Sequence, residues 1–306
     1  MVHEVNIVTL ANIKGGVGKT TATVNIAYLL ASEFGKRVLV VDADDQGNAT
    51  KSLGAVDNFD MNTETLWYAL NNKKTYKDVM VESSYEGIWV VPSTKELKGA
   101  QLAFGQSARG MRIFKKFLKG VAKDFDYVLI DTKPQINVLL QSALCASQWY
   151  IIPSFPEPDS YDGFLDLVAE CEEIHEEMNE DLNCLGVLMT CVKRIPAHES
   201  YLKFISKHLK KAKVPLFKQT IRSSNSIATG SLHACPAVSL PNARFIREDY
   251  VKVVRSLIRT TSKFKGDAAR PDLEVLGVTP SEEAIEASAA TDDFLVESSN
   301  SNEISF

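Results

Sequence analysis

No apolar run in this 306-residue chain approaches the roughly 20 residues that a membrane-spanning helix needs. The start of the sequence also lacks the charged-then-apolar pattern of a secretory leader, so a cytoplasmic protein is expected. Cysteine is sparse, and Cys145, Cys171, Cys184, Cys191 and Cys235 contain no C-x-x-C pair. That argues against a disulfide framework or an iron–sulfur site and for buried, reduced thiols. Charge of one sign is missing from two long stretches. Residues 200–247 contain no Asp or Glu, whereas residues 266–306 hold ten acids against a single base, Arg270. The net charge of −5 therefore hides a mildly basic body at +4 and a tail at −9. A tail so acidic and so rich in Ser, Ala and Asn buries too little apolar area to offset the entropy of ordering. The expected organisation is one domain over 1–265 followed by an acidic, disordered tail over 266–306.

What is present is an ordinary globular composition, 45% hydrophobic and 24% charged, on a chain long enough to bury a full core. Apolar runs alternate with helical patterns. Val5–Leu10, Arg37–Val41, Ile88–Pro92, Phe125–Asp131, Gln148–Pro153 and Leu185–Thr190 read as strands buried on both faces. Helices are expected from Thr20, over Thr65–Leu70, as a turn near Tyr76–Met80, over Ser93–Ala122, over Tyr161–Asn179 and over Glu248–Phe264. This alternation is the pattern of an α/β fold, a doubly wound, mostly parallel sheet with helices on both faces.

The stretch A-N-I-K-G-G-V-G-K-T-T, Ala11–Thr21, lies between the first strand and the first helix. Strand, glycine-rich turn, helix is the context in which backbone amides converge on phosphate. Gly15, Gly16 and Gly18 let successive N–H groups turn inward, and Val17 lies between them. Lys19 is placed to reach β- and γ-phosphates, and the Thr20 hydroxyl, followed by Thr21, to ligate Mg²⁺. The first glycine of the usual G-x-x-x-x-G-K-[ST] motif is missing, since Ile13 stands there; a second lysine, Lys14, precedes the Gly15-Gly16 pair. Two strands end in carboxylates. Asp42-Ala43-Asp44-Asp45-Gln46-Gly47-Asn48 follows the second strand, and Phe125–Asp131 ends in Asp131, then Thr132-Lys133-Pro134. Carboxylates at the C-terminal ends of parallel strands lie where such sheets bind ligands.

K-G-G-V-G-K-T is the deviant Walker A form of the P-loop, and the chain resembles the ParA/MinD family of dimerising ATPases, most closely the ParA-type partition ATPases. The resemblance implies ATP and Mg²⁺ as cofactors. It implies Lys14 reaching across a homodimer to the partner's nucleotide, Lys19 and the loop from Gly15 to Thr21 holding ATP, Thr20 and Asp131 holding Mg²⁺, and Asp44 orienting the attacking water. Two departures stand out. Asp45 replaces the proline of the family's D-x-D-P-Q-G-N-A-T element, and Lys133 replaces a proline of D-x-P-P. Lys133 could contact phosphate or point to solvent.

Within the acid-free stretch, Lys203, Lys207, Lys210 and Lys211 fall at helical spacings that gather them on one side. A uniform stripe without acidic relief is what backbone binding to nucleic acid requires, although a solvated helix face has the same composition. Arg222 aligns with an arginine that in the family binds DNA non-specifically. The expected function is an ATPase that dimerises with ATP, binds double-stranded DNA without sequence preference, and segregates plasmid or chromosome DNA with a ParB-type partner, as a nucleoid-associated protein. A MinD-like regulator at the membrane, or a ParA-like positioner of non-DNA cargo, are the alternatives. The acidic end of the chain argues against the membrane.

Overall fold

Seven strands form one sheet in the order β3-β4-β2-β5-β1-β6-β7. They are β1 (Asn6–Leu10), β2 (Val38–Ala43), β3 (Val81–Glu82), β4 (Ile88–Val91), β5 (Tyr127–Thr132), β6 (Trp149–Ser154) and β7 (Asn183–Met189). Every pairing is parallel except that of the two-residue edge strand β3 with β4. The computed structural model describes residues 5–58, 64–105, 110–158, 161–263 and 270–277. Its helices are α1 (Lys19–Ser32), α2 (Asn48–Ser52), α3 (Leu66–Asn71), α4 (Tyr76–Val79), α5 (Ala100–Phe104) and α6 (Ile113–Phe117). They continue with α7 (Val138–Ala146), α8 (Tyr161–Glu177), α9 (Pro196–Lys211), α10 (Asn225–Leu232), α11 (Arg244–Lys263) and α12 (Leu273–Gly277). The expected doubly wound α/β sheet is the fold.

Alternate side chains of each strand feed opposite layers, because successive Cβ atoms point to opposite faces. Val8, Leu10, Val38, Val40 and Leu129 pack under α1 and α11 on one face. Ile7, Leu39, Val41, Val128 and Ile130 pack under α3, α6 and α7 on the other. The second layer continues along β6 and β7 with α8 and α9. Burial on both faces explains the near-continuous apolar strands.

Three expectations are corrected. The single helix expected over Ser93–Ala122 is instead a set of short turns that includes α5 and α6, because Gly105 is extended (ψ 151) and Gly120 is left-handed (φ 85). Helix α7 was not expected: it is buried on nearly every side, so it has no amphipathic pattern, and only its Asn137 cap, accepting from Leu140 N–H, marks it in sequence. The domain boundary drawn at 266 also cuts off a segment that returns to the body. Arg270 makes two hydrogen bonds to the buried Glu172 carboxylate, 2.9 and 2.6 Å, and a third to the Leu182 carbonyl, while Leu276 is buried in the α8–α9 layer. The disorder expected of the tail beyond residue 277 falls outside the described residues.

This anchor carries a testable cost. Removing one partner of a buried pair leaves the other charge uncompensated. Arg270→Ala should lower stability by about 2 kcal/mol, less than for a fully buried pair because the arginine is partly exposed. Denaturant midpoints measure it; an unchanged midpoint would mean that residues 270–277 add nothing to the body.

Candidate functional site

The loops after β1, β2 and β5 meet because those strands are neighbours, with Leu10 and Asp42 both in register with Asp131. Helix α1 is preceded by Gly18, which is left-handed (φ 87) and supplies no side-chain cap. Its first amides therefore face the loop without an internal partner. Gly16 is also left-handed (φ 77), and nothing lies within 4 Å of where a Cβ on Gly15 or Gly16 would sit. The result is an open, amide-lined cradle at a helix N-terminus, suited to an anion.

The loop is braced from both sides. Asn12, fully buried, donates to the Pro153 carbonyl at 2.7 Å and accepts from the Lys14 amide at 2.9 Å. The Thr190 hydroxyl at the end of β7 donates to the Val17 carbonyl, 2.8 Å away. Ile13, where the usual motif has glycine, fits because α8 presents Gly163 to it; a Cβ there would lie 2.9 Å from Ile13 Cγ1. Asn12, Thr190 and Gly163 hold the loop in place, and sequence reasoning missed them. Only Thr190 carried a signal, as the polar end of an apolar strand.

Lys19 is 6% exposed, and its Nζ donates to the Lys14 carbonyl at 3.2 Å. Burial lowers its pKa to about 8, against the opposing pull of Asp131 and Asp44. Thr20 donates to Asp131 Oδ2 at 2.7 Å, and Thr23 lies 3.1 Å from Oδ1. Burial first, then the charge of Asp42, raises Asp131 to about 7. Asp42 is raised to about 6 by burial, although the Thr50 side chain and amide and the Asp44 amide all donate to it. Asp42 thus ties the turn after β2 to α2, with both oxygens engaged. Asp44 sits further out, 9% exposed, with Oδ1 accepting the Gln46 amide at 3.0 Å. Lys14 lies at the rim, its Nζ 3.9 Å from Glu157 in the proline-rich loop after β6. A cavity of about 320 Å³ between α3 and α6 lies away from these groups, whereas one of about 280 Å³, touched by Thr20, Thr21, Asn25 and Lys51, adjoins them.

Thus Lys14 through Thr21, Asp44 and Asp131 come together. The donor set suits a magnesium nucleotide: amides and lysines for phosphate, a hydroxyl and a carboxylate for a hard cation. Lys133, half-buried, pairs with Asp45: its Nζ lies 2.5 Å from Asp45 Oδ2.

The basic region looks different in space than in sequence. Lys203, Lys207, Lys210 and Lys211 are exposed on α9, opposite its buried Ile205 and Leu209. Arg222 instead makes two hydrogen bonds to the buried Asp249 carboxylate, 2.6 and 2.7 Å, and stacks over Phe245. Lys213, Arg244 and Arg247 likewise meet Asp272, Glu248 and Glu33. The acids absent from 200–247 return from elsewhere in the chain.

Residues 5–184 match the family described as an AAA domain. The sporulation initiation inhibitor protein Soj of Bacillus subtilis is 36% identical over 185 residues, covering 60% of this chain and 72% of that protein. The chromosome partitioning protein ParA of Caulobacter vibrioides is 33% identical over 194 residues, covering 63% and 72%. Among solved structures, a cobyrinic acid a,c-diamide synthase from Mycobacterium smegmatis with bound ADP and magnesium superposes with a TM-score of 0.71 at 25% identity, over 88% of this chain and 99% of that one.

Proposed function

Since this chain belongs to the AAA-domain family that its residues 5–184 match, with Soj and ParA partition ATPases among its relatives, we propose that it is an ATP-driven dimerising ATPase that moves or segregates DNA. The observation that carries this reading is the deviant P-loop itself: Lys14 at the rim and Lys19 buried in the loop, beside Asp44 and the Thr20–Asp131 pair. The α1 amides and Lys19 hold the phosphates of ATP. Thr20 and Asp131 hold Mg²⁺, which when bound supplies positive charge to the phosphate oxygens. Asp44, outside the Asp42–Thr50 tether, orients and accepts a proton from the attacking water. Lys14 exchanges its weak contact with Glu157 for the nucleotide of the partner in a homodimer. A ParB-type protein stimulates turnover and so releases the dimer from DNA, which makes the protein cytoplasmic and nucleoid-associated.

The α9 stripe is the DNA surface in this reading, whereas the Arg222 guanidinium is engaged by Asp249 of α11. The ATP-bound protein should bind duplex DNA without sequence preference and lose affinity steeply with salt. Reversing Lys203, Lys207 and Lys210 to Glu should weaken binding more than about tenfold and flatten the salt dependence by about three phosphate contacts. Arg222→Glu would face the buried Asp249 with a second carboxylate, so it should lower the unfolding midpoint and is a poor reporter of DNA contact. Gel shifts at two salt concentrations with ATP, ADP and no nucleotide are the test. Unchanged affinity in the triple variant would remove α9 from the surface; binding to anionic vesicles in place of DNA would overturn the reading.

A further inference from the structure

Two of the places where the sequence leaves its family's pattern, Asp45 and Lys133, touch each other although they lie 88 residues apart. Asp45 is the second residue of a turn that Gly47 closes by donating to the Asp44 carbonyl at 3.0 Å. Gly47 is left-handed (φ 62), and a Cβ there would sit 2.9 Å from the Ser93 carbonyl oxygen, so the chain must pass through this turn. Proline at the second position of such a turn presets its φ near −65°. Aspartate does not, and an unpaired carboxylate that is only 4% exposed carries a large desolvation cost. Two contacts replace what the ring would supply. Lys133 Nζ lies 2.5 Å from Oδ2, and Gln46 Nε2 donates to Oδ1 at 2.6 Å. Burial opposes the Asp45 charge, but the Lys133 and Gln46 hydrogen bonds and the Lys133 and Lys98 charges leave its pKa below the usual value. Lys133 directly follows β5, the strand that carries Asp131. The ion pair therefore ties the Asp44 turn to the Asp131 strand at the mouth of the site.

We propose that Asp45 and Lys133 are positioning residues, an ion-pair latch that does the work of a turn proline and holds Asp44 in place over the nucleotide. The effect on turnover rests on the reading of Asp44 given above; the latch itself does not. No hydrogen bond of the Asp45 amide is found among the described residues, so proline at that position sacrifices none.

The test compares Lys133→Ala, Asp45→Pro/Lys133→Ala and the charge swap Asp45→Lys/Lys133→Asp by steady-state ATPase kinetics and by amide exchange at Gln46 and Gly47. Lys133→Ala should speed exchange at both amides without nucleotide, and lower kcat about tenfold to a hundredfold with KM within about twofold. Asp45→Pro/Lys133→Ala should restore slow exchange and most of kcat, and the swap should restore part of each. Unchanged exchange in Lys133→Ala, or no rescue by proline, overturns the latch. A raised KM with kcat intact overturns it too, because Lys133 would then be a nucleotide contact. If the parental protein hydrolyses no ATP, the function reading fails while the exchange data still decide the latch.

Discussion

Lys19→Ala should abolish ATP binding while leaving the fold intact. The ammonium is nearly buried, and burial lowers its pKa to about 8, so the protein holds this charge against its own preference. An anion in the cradle offsets that cost, which makes the site preorganised for phosphate. Hydrogen bonds to charged groups contribute about 1.5–3 kcal/mol each, so losing two should weaken binding by at least about a hundredfold. The apo protein should keep its unfolding free energy to within about 1 kcal/mol, since a disfavoured buried charge is removed. Calorimetry with ATP and Mg²⁺ reads the first effect and thermal unfolding the second. Near-normal affinity in a folded Lys19→Ala protein would reject the assignment of the loop.

Asp44→Ala should do the reverse, keeping ATP and losing hydrolysis. Its carboxylate is held by the Gln46 amide and its backbone by Asp42, so it has a defined place near the loop without occupying it. A group that positions and deprotonates water contributes about 10²–10⁴-fold. The variant should therefore accumulate as an ATP-bound dimer, detected by elution volume, with single-turnover hydrolysis slowed by about that factor. Asp42 cannot take over: it is fully buried and both its oxygens accept hydrogen bonds from Thr50 and the Asp44 amide. Hydrolysis at the parental rate would place the water-orienting group outside this turn.

The sequence by itself determined six of the seven strands, though not the two-residue edge strand β3, together with the phosphate loop and the carboxylates that end β2 and β5. Each is encoded within a few neighbouring residues: apolar runs for strands buried on both faces, glycines where the backbone turns left-handed, and an acid one step beyond an apolar run. Helix α7 and the broken segment after β4 escaped the same reading, the first because full burial erases periodicity, the second because glycines at 105 and 120 outweighed an apparent helical pattern. What only the tertiary structure decided is which charges meet. Arg222 is joined to Asp249, Arg270 to Glu172 across 98 residues, and Lys133 to Asp45 across 88. Adjacent strands β2 and β5 bring Lys133 and Asp45 together, while the packing of α8 and α11 places Glu172 and Asp249 against their arginines; both arise from how whole layers pack rather than from any local pattern. A run without acids is therefore a property of the chain, whereas a basic surface is a property of the fold.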